Sequence, residues 1–185
     1  MSKKSTIEHI VEEINETVIR QLKCKTGEEF HGQFFGIAFP VLIKDEDGER
    51  SFPAIIDTEG ECSYVFSDDS YSFGIYHRLL SKTYSQAKGF GDGNLDIEND
   101  EMAMIVWGFS NQLDMNALDF EREIITPSIP KKATLVSSDF DSYRIANGEF
   151  RNANYLNKPE EFIFSVKYKV QFKFDRICAL EKNCI

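Results

Sequence analysis

The sequence holds only three histidines and four cysteines, and what they fail to form narrows the chemistry open to it. Cys24, Cys62, Cys178 and Cys184 include no CxxC pair. That spacing fits neither a small disulfide scaffold nor a zinc ribbon, so free thiols are expected. His9, His31 and His77 lie far from one another and from any cysteine in the sequence. A metal or nucleophilic site exists only if folding assembles one, with His31 and His77 the candidates for its centre. No GxSxG elbow or HExxH helix is present, and the glycines of "GFGDG" lack the Lys-Ser/Thr of a phosphate loop. A long apolar run is also missing. The start, "MSKKSTIEHIVEEI", suits neither a signal peptide nor a membrane span, and none appears later, so a protein made and kept in a cytoplasm, away from membranes, is expected. No catalytic, cofactor-binding or metal-binding residue is assigned, and the chain is expected not to be an enzyme.

Positive charge is in deficit as well. With 21 Lys and Arg against 31 Asp and Glu, the net charge is -10. Sequence-independent binding of the whole molecule to nucleic-acid phosphates is therefore disfavoured, although a local basic face is allowed. What is abundant is phenylalanine, 16 residues in a chain that is 42% hydrophobic. Several of these stand in alternating runs, which favours a sheet-rich core over a helical bundle. Nothing in the length of 185 residues requires more than one domain, so residues 1 to 185 are expected to form a single domain.

Along the chain, "STIE" at residues 5 to 8 is a capping-box signature, and Ile7, Ile10, Val11, Ile14, Val18 and Leu22 recur at helical spacing. An amphipathic helix over 5 to 23 is predicted. In "FHGQFFGIAFPVLIKDEDGERSFPAIID" two apolar runs flank an acidic turn ending in Asp47-Gly48, a hairpin signal. Pro40 and Pro53 cannot donate to a ladder and argue for edge positions or strand breaks. Short strands follow at "CSYVFS" and "SFGIYHRLL", hinged at Asp68-Asp69, and "MAMIVWGF" reads as a central strand. Between them "AKGFGDGNLDIENDE", residues 87 to 101, is rich in glycine and acid and reads as a long exposed loop. Asp92, Asn94 and Asp96 there have a D-x-N-x-D spacing able to aim oxygens at calcium. The sixth and twelfth positions of an EF-hand loop would be Ile97 and Ala103, which fail the pattern. Asp114 or Asn116 can cap a short helix carrying Leu118, Ile124 and Ile125, expected to stop near Thr126 because Pro127 follows. "ATLVSSDF" is a further strand candidate. This order predicts an α+β fold with a mostly antiparallel sheet, an N-terminal helix and a second short helix.

The clearest pattern is "FIFSVKYKVQFKFDR", residues 162 to 176. Phe162, Phe164, Val166, Tyr168, Val170, Phe172 and Phe174 fall on one face of an extended chain, and Ser165, Lys167, Lys169, Gln171, Lys173 and Asp175 on the other. This predicts a strand in a sheet with one covered face. The aromatics point away from the lysines, whereas a single-strand nucleic-acid binder needs both on one face to stack bases. Lys167, Lys169 and Lys173 therefore have two readings: solvent cover on a strand, or a contact with an acidic surface on a neighbouring subunit.

The sequence also resembles small neck or tail-completion proteins of tailed bacteriophages and prophages of Bacteroidetes, including the crAss-like phages. The resembling features begin with the amphipathic N-terminal helix, "GQFFGIAFPVLI", "FPAIIDTEGECSYV" and "SFGIYHRLLSKTYS". After the acidic segment come "EMAMIVWGFSNQLDMNALDFEREIITPSI" and "EEFIFSVKYKVQFKFDRICALEKNC". The resemblance implies a tail-terminator-like α+β domain without catalysis. It implies a virion protein, assembled in the host bacterial cytoplasm, that forms a homo-oligomeric ring of about six or about twelve subunits. Its implied neighbours are portal, connector or tail proteins, and its lumen passes DNA without sequence-specific binding. An acidic ring repels the phosphates passing through it. The competing reading is an acidic binding or inhibitor module that mimics nucleic acid and acts on a host protein.

Overall fold

The computed structural model describes residues 6–27, 30–46, 48–56, 60–65, 70–88, 94–149 and 160–175. The predicted first helix is present as α1, Thr6–Thr26, and buries Ile10, Val11, Ile14, Val18 and Leu22 along one stripe. Ser5 of the capping signature lies outside the described residues. β1 (Gly32–Ile37) follows, then β2 (Phe39–Asp45), β3 (Gly48–Ile56) and the short β4 (Cys62–Tyr64).

β2 and β3 form the expected hairpin, closing at the Asp45–Gly48 pair, and β4 completes a three-stranded sheet in the order β2-β3-β4. Pro40 and Pro53 stand directly opposite each other in its ladder. Neither has an N–H to give, so this rung is one whose backbone groups point away from the partner strand. β2 is an edge strand, as Pro40 requires, and on the other side of β3 the pairing with β4 starts at Ala54, one residue past Pro53.

The main sheet has five strands in the order β1-β5-β6-β8-β7. β5 is Phe73–Lys88 and β6 is Asn94–Phe109, both 16 residues long. β7 is Ala133–Asp139 and β8 is Glu161–Asp175. All pairs are antiparallel except β1 with β5, so the fold is α+β with mostly antiparallel sheet. Between β6 and β7 lie α2 (Ser110–Leu113), α3 (Ala117–Phe120), a π-helical turn (Glu121–Ile125) and α4 (Thr126–Ser128). α5 (Ser142–Glu149) separates β7 from β8. Among the described residues no helix is long and apolar enough to cross a membrane.

Three expectations need correction. Segment 87 to 101 is not a loop through its length: β5 runs to Lys88, β6 begins at Asn94, and Lys88 pairs with Asn94. Only 89–93, with Asp92 and the glycines of "GFGDG", lie outside the described residues. The acids of this segment stand on strands because β8 supplies a partner for β6 as far as Leu95. Second, the first half of β8 is covered on both faces. Phe162, Phe164, Val166 and Tyr168 pack beneath α1 and the α3–α4 helices, while Ile163 and Ser165 are buried on the other face. Third, the helix capped at Asn116 does not stop at Thr126 but continues to Ser128. Asn116 Oδ1 accepts from the backbone N–H of Leu118 and Asp119. The wider π turn before Pro127, with Thr126 N–H bonded back to the Glu121 carbonyl, loosens the ladder where a proline ring would otherwise crowd it.

Two apolar cores thus sandwich the main sheet. One holds α1, the α3–α4 helices and the even-numbered residues of β6 and β8; the other holds Tyr76, Ala103, Ile105, Trp107 and Ile163 with Val65 and α5. Glu149 at the end of α5 ties that helix to β5, accepting from Tyr76 Oη at 2.8 Å and pairing with Arg78 Nη1 at 2.8 Å.

Candidate functional site

β1 stays with β5 only as far as His77, and β7 stays with β8 only as far as Val170. Beyond those points β5, β6 and β8 continue together as a three-stranded arm, reaching Lys88, Asn94 and Asp175. A bulge between Leu79 and Ser81 marks its root on β5. Eight residues of strand, 81 to 88, make it roughly 25 Å long. Its residues Ser81 to Gln86 are all exposed, as are Lys169, Gln171 and Lys173. The α1-side core follows the sheet outward as far as Val170 and Phe172, while Lys169, Gln171 and Lys173 lie exposed on the opposite face.

Pleating sorts the side chains of the arm into rungs. On the face shared with α1 the rungs are Lys82–Asp100–Val170 and Tyr84–Glu98–Phe172, with Gln86 and Asp96 beyond. On the opposite face they are Ser81–Glu101–Lys169, Thr83–Asn99–Gln171 and Ser85–Ile97–Lys173. Lys82 Nζ reaches diagonally to Glu98 Oε1 at 2.6 Å and lies 3.6 Å from Asp100 Oδ2. The hydrogen bond with Glu98 raises the Lys82 pKa, and the same bond lowers that of Glu98. Asp100 is only 1% exposed, and among the described residues no donor lies within hydrogen-bond distance of either of its oxygens; burial raises its pKa, and the nearby Lys82 charge offsets part of the rise. On the other face Lys169 Nζ pairs with Glu101 Oε2 at 3.3 Å and Gln171 Nε2 donates to Asn99 Oδ1 at 2.9 Å.

The three lysines singled out from sequence all point to this second face and are exposed. Lys167 stands at the arm's root, opposite Ala103, and lines a surface groove of about 290 Å³ with Arg78, Arg144 and Glu149. β8 is an interior strand as far as Val170, so edge protection explains Lys173 but not Lys167 or Lys169.

The histidines do not converge. His9 is exposed on α1, His31 is exposed before β1, and His77 is wholly buried. Asn15 Oδ1 can only accept, so His77 Nε2, 3.2 Å away, carries the proton. Nδ1 then accepts from the Tyr168 hydroxyl at 2.9 Å. Both ring nitrogens are satisfied, and burial pushes the pKa down to about 3. His77 is a neutral cross-brace between α1 and the sheet. Cys24 and Cys62 are exposed free thiols; Cys178 and Cys184 lie outside the described residues. Among the described residues no group of three or more His, Cys, Asp and Glu side chains is placed to hold a metal ion.

Reading the acids as a loop hid the other half of the arm: Asp96, Glu98 and Asp100, with Lys82 and Tyr84 opposite. The signal was present. Acids at 96, 98 and 100 keep the two-residue period of a strand, with Leu95 before them and Ile97 and Asn99 between them. No protein-family model matches the chain, and no curated protein matches it.

Proposed function

We propose that this chain is a structural virion protein of a tailed bacteriophage, one subunit of a homo-oligomeric ring in the neck or tail-completion region through which DNA passes. The observation that carries the reading is the arm. Three strands extend past the ends of β1 and β7, and among the described residues the outer edges of β5 and β8 have no strand partner there, while Ser81 to Gln86, Lys169, Gln171 and Lys173 are exposed. Open strand edges are a liability for a protein that works alone, and a ring gives them a neighbour. The sequence's resemblance to neck and tail-completion proteins agrees with this, as does a net charge of -10, which keeps DNA from adhering to a lumen wall. In this reading the protein has no catalytic role and no cofactor, and its partners are copies of itself and the portal, connector or tail proteins stacked above and below.

Native mass spectrometry and negative-stain imaging of the purified chain test the proposal. Closed rings of about six or about twelve subunits are expected. A monomer at every concentration that instead forms a tight one-to-one complex with a basic host protein would overturn it in favour of an acidic mimic of nucleic acid.

A further inference from the structure

Because β1 leaves β5 at His77 and β7 leaves β8 at Val170, the arm has two strand edges without a strand partner among the described residues. One is β5 from Arg78 to Lys88, the other β8 from Gln171 to Asp175. The two edges stand at the same height: across β6, Thr83 is level with Gln171, Tyr84 with Phe172, Ser85 with Lys173 and Ala87 with Asp175. They also run the same way, since each is antiparallel to β6. On the β5 edge Tyr84 is 70% exposed, a large aromatic ring with little cover from its own chain.

We infer that the arm pairs edge to edge with the arm of a second copy of this chain, β8 of one copy lying parallel to β5 of the next at matching height. A row of unpaired backbone N–H and C=O groups is met at its own spacing by another extended strand. A second copy brings that strand at the right height, and one repeated contact leaves neither edge open. Two-fold pairings do not achieve this. β5 against β5 leaves β8 bare, and β8 laid fully antiparallel to β8 over residues 171 to 175 sets Lys173 against its own counterpart. In the matched-height pairing like charges do not meet: Lys173 comes beside Ser85, Gln171 beside Thr83, and the half-buried Phe172 beside Tyr84. Lys82 is level with Val170, where β7 still covers β8. The contact joins two different edges, so it is heterologous and closes into a ring where the rotation between copies divides a full turn. The sheet is five strands wide at its root and three in the arm. At about 4.8 Å per strand neighbouring copies stand farther apart at the root, and the arms meet by leaning toward the ring axis. The bulge between Leu79 and Ser81 places a bend in β5 at that point. The inference rests on the ring reading and adds to it which edges meet, their parallel direction and their register.

Disulfide trapping in the full chain, with Cys24, Cys62, Cys178 and Cys184 replaced by serine, tests the register. Thr83→Cys and Gln171→Cys are both at exposed positions. Within one copy they lie two strand spacings apart, about 9.6 Å, beyond the Cα separation of about 7 Å that a disulfide spans; between copies in the inferred pairing they lie one spacing apart. Mild oxidation of the double variant should give a ladder of linked multimers ending at the ring, and an equimolar mixture of the two single variants should give linked dimers. Neither single variant should link alone. The pair two residues further along, Ser85→Cys with Lys173→Cys, reads the same register independently, and urea unfolding of each reduced variant separates a lost contact from a lost fold. Linked dimers from one single variant by itself, or rings of correctly folded double variants that stay unlinked, would overturn the edge pairing while leaving the ring reading intact. An unaltered chain that never associates would overturn both.

Discussion

Gly74 on β5 faces Trp107 on β6 directly across the ladder, and the indole lies over it so closely that a Cβ at position 74 would sit 1.9 Å from the ring. The pattern steps across the sheet. Gly32 faces Phe73, Gly74 faces Trp107 and Gly108 faces Phe162, each glycine directly following the aromatic of the step before. Aromatics covering cross-strand glycines help pin the register of a sheet. Gly74→Ala is therefore expected to destabilise the protein by about 3 kcal/mol or more, since a buried ring and the backbone beneath it must both move. Gly148→Ala is the control. Position 148 lies in α5 with open space around it, and alanine there should stabilise by about 0.5–1 kcal/mol. Urea unfolding of both variants checks the pair.

His77 sets an acid limit. Its folded pKa lies near 3 and its unfolded value near 6.5, so between these pH values the unfolded chain binds a proton the folded chain refuses. Stability from this group is complete above about pH 6.5 and falls as the pH drops, by up to about 1.4 kcal/mol per pH unit. His77→Gln removes the titration and should make the acid limb shallower by about one proton. Unfolding free energies of both proteins from pH 4 to pH 7 measure this.

Asp100 acts with the opposite sign. Burial raises its folded pKa above the unfolded value, so the folded state holds the proton more tightly and stability is lost as pH rises through that interval. Lys82 at 3.6 Å offsets part of the cost. Asp100→Asn is expected to raise stability at pH 7 by about 1 kcal/mol, and the gain should vanish at acid pH where both forms are neutral. Melting temperatures at the two pH values give the answer.

Asn116 closes the start of α3 through two backbone N–H groups and donates from Nδ2 to Asp119 Oδ2 at 2.7 Å. Asn116→Ala should cost about 1 kcal/mol, and Asn116→Ser should recover most of it. The same unfolding measurement decides between them.

Periodicity carried most of the architecture. α1, the β2–β3 hairpin, the central strand within β6, and β8 each announce themselves by apolar spacing, because burial on one face is what selects those residues. The arm was hidden for the converse reason. Asp96, Glu98 and Asp100 are polar side chains on a strand whose neighbours satisfy the backbone, so backbone pairing rather than apolar contrast fixes the conformation. The glycines at 91 and 93 and the run of acids then resemble a loop. The parallel β1–β5 pair and the meeting of His77 with Asn15 and Tyr168 depend on residues about 40 to 90 positions apart, and no local pattern encodes them. Half of the arm, the lysine row, was legible because it alternates with a buried aromatic row. The acidic half became legible once the register between β5 and β6 was known.

Strand β8 lies between β6 and β7 in space yet comes after both in the chain. During synthesis, β6 therefore leaves the ribosome with one edge unsatisfied and β7 with no ladder to join, and this persists until residues 161 to 175 emerge. The sheet cannot zip up from the N-terminus; it waits for its keystone. For that interval the nascent chain exposes the apolar row Met102, Met104 and Val106, a natural station for a chaperone. Ribosomes stalled before residue 161 would hold a chain with its helix and long hairpin but no closed core, and the protease sensitivity of the chain should fall in one step once β8 is out.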